Sequence, residues 1–204
     1  MRYTPLTDAR HFGARLVGCY EQELAEAVEQ CCGSNFACVV DVGCAEGYYA
    51  VGFAMRLPAA EIVAFDTDPW ARGVCKKLAV FNGVADRVSV RGFCSPDRLR
   101  RVIGEKKCLI LSDCEGFENT LLDPCLIPAL AHCDMIVEIH DAAPSPDHPL
   151  VQKFRTTHRI DLVKSEPRSG KEAGLPDVFS AEEKFRLVNE LRQPWQGWAI
   201  FSAV

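Results

Sequence analysis

The stretch Cys38–Tyr49, Cys-Val-Val-Asp-Val-Gly-Cys-Ala-Glu-Gly-Tyr-Tyr, constrains the fold of this chain more than any other. It opens as a β-branched apolar run, the pattern of a strand buried on both faces. An acid, Asp41, follows, with glycines at Gly43 and Gly47, and then an amphipathic run from Tyr48 to Leu57. Strand, acidic glycine-bearing turn and helix make the form of a nucleotide-binding βα unit. Glycine lets the backbone turn tightly and approach a ligand, and the helix start offers free N–H groups. The spacing is D-x-G-x-x-x-G, which is neither the dinucleotide fingerprint nor the P-loop.

The rest of the chain repeats this alternation. Leu16, Cys19, Tyr20, Leu24, Ala27, Val28 and Cys31 recur at helical spacing, which predicts one helix over 15–32 that stops at Gly33. Strands are expected at 37–42, 61–65, 88–93, 108–112, 135–139, 159–163 and 195–202. Asp68-Pro69 and Ser95-Pro96 each read as an N-cap followed by proline at the first helical position. The helix after Asp68 is expected to carry Trp70, Val74, Cys75, Leu78 and Phe81 inward. Pro124 and Pro128 break the helical stretch 117–131. Ser180 with Glu183 forms a capping box for a helix to about Leu191. Residues 164–178 read as a mobile connection or a lid.

Strands alternating with helices give an α/β fold. We expect a Rossmann-like, mostly parallel seven-stranded sheet with helices on both faces and the last strand antiparallel. The 204 residues make one domain, 1–204: an N-terminal helical extension (1–35), a ligand-binding core (36–141), and a C-terminal helix and strand pair (142–204).

Composition narrows the setting. With 48% hydrophobic residues a full core is within reach, and a net charge of −5 speaks against a polyanionic partner such as nucleic acid. The basic cluster Arg98, Arg100, Arg101, Lys106 and Lys107 reads as a solvated helix face and loop rather than a phosphate site. No apolar run reaches the length of a membrane span, and the first residues lack the apolar centre of a signal peptide. Eleven cysteines lie largely within apolar segments, without a C-x-x-C pair. They read as buried thiols in a reducing, cytoplasmic protein.

Ligands of open α/β sheets bind beyond the carboxyl ends of the strands, at the switch point. Four such ends carry chemistry here: Asp41; Asp66; Asp113 with Glu115; and Glu138 with His140 and Asp141. A carboxylate at Asp66 suits the ribose hydroxyls of an adenosine-type ligand. Asp41-Val42-Gly43-Cys44-Ala45-Glu46-Gly47 with Asp66 resembles the class I S-adenosylmethionine-dependent methyltransferases. Asp113-Cys114-Glu115-Gly116-Phe117-Glu118, followed by Val137-Glu138-Ile139-His140, is similar to the FkbM family, whose members mostly methylate hydroxyl oxygens of sugars and other natural products. The chain departs from the class at Ala45, where the loop commonly has glycine. It departs again at Phe93-Cys94, where an aspartate is common; Phe93 either packs beside adenine or belongs to the core.

The resemblance implies S-adenosylmethionine as cofactor, held by Asp41, Gly43, Cys44, Ala45, Glu46, Gly47, Tyr48, Asp66, Thr67, Phe93, Cys94 and Asp113. It implies Asp113, Glu115 and His140 as catalytic residues, with His140 as the base because its reference pKa is near neutrality. A small-molecule acceptor follows, a sugar or natural product. A divalent metal on Asp113, Glu138 and His140 is the alternative use of these groups. Two other functions stay open: a protein that binds the cofactor without turnover, and a methyltransferase acting on nitrogen. His132, His148 and His158 have no partner pattern and read as surface or satisfied residues; the same holds for His11. Trp195 and Trp198 read as packing residues.

Overall fold

The computed structural model describes residues 1–3, 12–140, 142–168, 175, 177–192 and 195–204. Asp141, His11 and much of the segment 164–178 therefore lie outside the described residues. Seven strands form one sheet: β1 (Cys38–Val42), β2 (Glu61–Phe65), β3 (Val88–Arg91), β4 (Cys108–Ser112), β5 (Asp134–Ile139), β6 (His158–Lys164) and β7 (Gly197–Ala203). Their order is β3-β2-β1-β4-β5-β7-β6. The strands β1 to β5 pair in parallel. β7 runs antiparallel between β5 and β6, as expected for the last strand.

Helices cover both faces. They are α1 (Phe12–Val17), α2 (Ala25–Cys32), α3 (Tyr48–Arg56), α4 (Pro69–Phe81), α5 (Pro96–Ile103), α6 (Glu118–Leu121), α7 (Pro149–Phe154) and α8 (Ala181–Val188), with short 3₁₀ turns at Gln22–Leu24 and Pro128–His132. Strand alternation divides the core in two. Cys38, Val40 and Val42 join α5, α6 and α7 through Leu99, Ile103, Leu121, Leu150 and Phe154. Val39, Ile62, Ala64, Leu109 and Leu111 join α3 and α4 through Val51, Phe53, Cys75 and Leu78.

Local chemistry explains the element starts. The Asp68 carboxylate accepts from the Trp70 N–H, and the Ser95 hydroxyl accepts from the Arg98 N–H. Ser180 and Glu183 form the reciprocal capping box. His148 caps α7 by accepting from the Leu150 N–H, and the buried His158 ring lies 2.9 Å from the Cys133 carbonyl. Among the described residues no cysteine is held in a disulfide.

Three expectations fail. Trp195, read as a packing residue, is half exposed. The helix predicted over 15–32 is broken between α1 and α2. Gly18 (φ +77°) and Glu21 (φ +48°) are left-handed there, and Glu21 turns inward to an ion partner far along the chain, Arg192. Of the residues expected inward on α4, Val74, Cys75 and Leu78 are buried, but Trp70 and Phe81 are about half exposed. They lie at the two ends of α4, beyond the reach of the sheet. No described helix is long and apolar enough to cross a membrane.

The first helix meets the last described one. α1 packs on α8 through Ala14, Cys19 and Val188. The backbones approach so closely at Gly13 that a Cβ there would lie 2.2 Å from the Leu187 carbonyl oxygen.

Candidate functional site

β1 sits between β2 and β4, so the sheet reverses its order at the β1–β4 boundary, and the crevice opens there. The loop after β1 is pinned on both sides. Gly43 and Cys44 donate to the Phe65 carbonyl at 2.9 and 3.0 Å, and Asp113 donates to the Val42 carbonyl at 2.9 Å. Gly43 is left-handed (φ +83°), and a Cβ there would lie 1.7 Å from the Asp113 carbonyl oxygen. Only glycine fits this crossing. Ala45 is also left-handed, at φ +44°. The backbone thus keeps the glycine conformation at the position where the residue departs from the usual loop.

Asp66 holds this loop. Its carboxylate accepts from the Ala45 N–H and from the Asp68 N–H, each at 2.8 Å. Those bonds leave lone pairs on both oxygens for hydroxyl donors. Thr67 is exposed beside it, its carbonyl accepting from Arg72 at 2.8 Å. Phe93, beyond the end of β3, is half exposed and contacts Phe117 at 5.4 Å between ring centroids, whereas Cys94 is buried.

Asp41 is buried, and burial foremost pushes its carboxyl up to about 7. Its Oδ2 has no hydrogen-bond partner among the described residues. It lines a cavity of about 60 Å³ with Gly43, Cys44, Ala45, Tyr48, Tyr49, Asp113, Glu138 and Trp198, joined by Arg15, Tyr20 and Glu21 from the N-terminal segment. Glu46 is turned toward Arg15, which donates to its Oε2 at 2.7 Å. Gly47 (φ +90°) leaves no room for a side chain against Cys75 Sγ.

Asp113, Glu115 and His140 come together as the sequence suggested. His140 Nε2 lies 3.2 Å from Asp113 Oδ1 and 3.6 Å from Glu115 Oε2. Its Nδ1 lies 3.2 Å from Glu118 Oε1, without hydrogen-bond alignment. Burial disfavours the imidazolium, but Asp113 and Glu118 outweigh it and raise the His140 pKa to about 10. The near-neutral value on which the base role rested is not what this surrounding gives. Glu118 also accepts from the Cys114 N–H at 2.8 Å, which fixes the turn after β4.

The alternative metal set is rearranged. Ligand atoms of Asp113, Glu115 and His140 lie within 4.8 Å of one another, with both carboxylates exposed. Glu138 is not in that group. It points at Arg192, whose Nη1 is 2.7 Å from Glu138 Oε1. Burial, then repulsion from Asp113, pushes Glu138 up to about 8 against the pull of Arg192. Arg192 also pairs with Glu21 and with Glu190, and its guanidinium lies 4.6 Å from the Trp198 ring centroid. The Tyr49 hydroxyl donates to Glu21.

Sequence reading missed Arg15, Glu21, Glu118 and Arg192 as members of this region, and took Trp198 for packing alone. Glu118 stood inside the D-x-E-G-x-E segment. The others come from the chain ends, where spacing carries no such signal.

Solved structures share this architecture. The O-methyltransferase TomG of Streptomyces achromogenes, solved with SAM, matches with a TM-score of 0.58 at 10% identity, over 100% of this chain and 91% of that one. A precorrin-6y C5,15-methyltransferase of Geobacter metallireducens matches with 0.55 at 10% identity, over 90% and 89%. An O-methyltransferase of Bacillus cereus, solved with SAH, matches with 0.51 at 14% identity, over 97% and 84%. The fold is shared. No family model matches the chain, and no curated protein does.

Proposed function

We propose that this protein is an S-adenosylmethionine-dependent methyltransferase acting on a hydroxyl of a small molecule. The observation that carries the reading is the β1 loop. A glycine-only crossing over β4 and a left-handed turn tied to Asp66 surround a cavity with a buried carboxylate, one oxygen of which has no partner among the described residues, on a sheet whose fold likenesses are methyltransferases.

The residues present fit the cofactor. Asp66 offers lone pairs to ribose hydroxyls, Phe93 an exposed ring for the base, and Asp41 a buried acceptor for an ammonium group. When bound, the cofactor supplies an electrophilic methyl group on a sulfonium. The chain's own part is to position the acceptor and accept its proton. His140, charged at neutral pH, lacks a lone pair for that proton, so it orients Asp113 and Glu115, and one of these carboxylates takes the base role. The FkbM kind of acceptor, a sugar or natural product, rests on Asp113-Cys114-Glu115-Gly116 and Glu138-Ile139-His140. The eleven thiols favour a reducing, cytoplasmic setting.

Calorimetry with S-adenosylmethionine, S-adenosylhomocysteine and NAD tests the reading. Binding is expected for the first two. Binding of NAD alone would overturn it, and binding without methyl transfer to a broad panel of hydroxylated acceptors would leave a non-catalytic binding protein.

A further inference from the structure

The fold sorts the basic cluster of the sequence into two sets and adds a member to one of them. Arg100 pairs with Asp97 at 3.1 Å, and Lys107 lies 5.4 Å from the Phe36 ring centroid. Arg98 and Arg101 on α5, and Lys106 just after it, instead line an open groove of about 590 Å³ beside the edge of the sheet. Arg91, at the end of the edge strand β3, joins them there. It stands opposite Phe65 in the β2–β3 register, its guanidinium carbon 5.9 Å from the Phe65 ring centroid. Phe65 packs with Leu99 and Val102 of α5, which sets the groove on that face of the sheet. The groove reaches from Phe65 back to Glu61, roughly 13 Å along β2. Its carboxylate, Glu61, is taken up by Lys106 at 3.0 Å. No ion pair ties Arg91, Arg98 or Arg101 to a carboxylate among the described residues. Arg98 and Arg101 lie one turn apart on α5, and like charges so placed destabilise a helix. A chain of net charge −5 thus gathers three uncompensated guanidiniums in one concavity, which calls for an anion.

We propose that this groove binds a soluble ligand carrying two or more linked phosphate groups, at a site separate from the crevice at the end of β1. The proposal stands without the cofactor reading. Guanidinium forks match phosphate oxygens in pairs, adding direction to charge. Arg91 and the two α5 arginines reach the groove from different walls, so a single phosphate does not meet all three, whereas a chain of phosphates does. The volume lies within the range of small-molecule sites. A cation is repelled here, and a neutral sugar leaves the three charges uncompensated. A membrane surface also presents clustered phosphates, but this site is a concavity beside a strand, which a molecule enters and a flat surface does not. Arg98 serves a second purpose, since its Nη1 donates to the Phe93 carbonyl at 2.8 Å. Arg91 and Arg101 are therefore the residues that report on the groove alone.

Calorimetry of the wild-type protein with inorganic pyrophosphate and tripolyphosphate tests the site, at physiological ionic strength so that diffuse attraction is screened. Both are expected to bind, tripolyphosphate the tighter, and orthophosphate roughly tenfold more weakly than pyrophosphate. Arg91→Gln and Arg101→Gln are each expected to weaken pyrophosphate binding roughly tenfold, the loss of a charge-assisted hydrogen bond. Both side chains are exposed, so neither substitution endangers the fold. Arg100→Gln is expected to leave binding within roughly twofold, because that exposed side chain pairs with Asp97 outside the groove. Failure of pyrophosphate and tripolyphosphate to bind overturns the proposal. So does an Arg100→Gln loss as large as that of Arg101→Gln, which would show attraction spread over the surface. A short polyglutamate peptide that binds as tightly as tripolyphosphate overturns the phosphate assignment in favour of an acidic protein segment. Pelleting with vesicles of phosphatidylcholine and phosphatidic acid, lost in Arg101→Gln, overturns the soluble source in favour of a lipid headgroup.

Discussion

Arg192 reaches from the C-terminal segment to Glu138 at the end of β5, Nη1 to Oε1 at 2.7 Å, and so fastens the last part of the chain to the crevice floor. The same guanidinium meets Glu21, in the break between α1 and α2, and Glu190. All four side chains are at most 14% exposed. Removing the cation leaves the buried Glu138 without its ion pair, while Glu190 keeps Arg168 and Glu21 keeps the Tyr49 hydroxyl. Arg192→Met is expected to destabilise the protein by about 3–5 kcal/mol, the usual cost of breaking a buried pair. Urea unfolding measures it. Adding Glu138→Gln is expected to recover part of that loss, since one stranded charge is gone; an additive double variant would show that the pair is not coupled.

The β1 loop holds alanine in a glycine conformation. A left-handed non-glycine residue costs roughly 1–2 kcal/mol, and glycine gives back somewhat less through the unfolded chain. Ala45→Gly is therefore expected to stabilise the protein by about 0.5–1 kcal/mol, read as a higher urea midpoint at unchanged slope.

Gly43 is the opposite case. Its φ is left-handed, and a Cβ added there would stand 1.7 Å from the Asp113 carbonyl oxygen, so no side chain fits. Gly43→Ala combines backbone strain with overpacking, an expected loss of roughly 2–5 kcal/mol. Because the clash separates β1 from β4, hydrogen exchange should quicken first at Val42 and Asp113.

The strands and helix caps were legible in the sequence because their causes are local. β-Branched runs marked β1, β2 and β4, and Asp68-Pro69, Ser95-Pro96 and Ser180 with Glu183 marked helix starts. The acids at the strand ends were legible too, since open α/β sheets gather such residues at one edge. What escaped was set by distant partners. Nothing near Glu21 announces that its carboxylate ends a helix in order to meet Arg192. The inward turn of Arg15 is likewise set by a distant partner, Glu46. The exposure of Trp70 and Phe81 follows from where α4 outruns the sheet, which periodicity does not record.

Asp41 links stability to pH. Its carboxyl is raised to about 7, so between the ordinary carboxylate range and that value the folded protein holds a proton that the unfolded chain releases. Stability then falls as pH rises through this window. Asp41→Asn removes that contribution. Denaturation at pH 5 and pH 8 is expected to find the variant gaining on the wild type at the higher pH, while its affinity for S-adenosylhomocysteine drops. A site that trades stability for a buried charge behaves in this way.

His140 runs in the other sense for its charge but with the same slope. Its imidazolium is stabilised by Asp113 and Glu118, and its pKa is raised to about 10. The stability it contributes is complete below the ordinary histidine value near 6.5 and is lost as pH rises toward 10. NMR titration of the ring is expected to find it still charged at pH 8, and Asp113→Asn to bring its pKa down toward the ordinary value. A ring already neutral at pH 7 in the wild type would return the base role to His140. If the ring is charged, as this surrounding dictates, His140→Asn slows methyl transfer through the loss of carboxylate orientation. The limb of the pH–rate profile that reports the base then survives the substitution, whereas removal of a true base would abolish that limb.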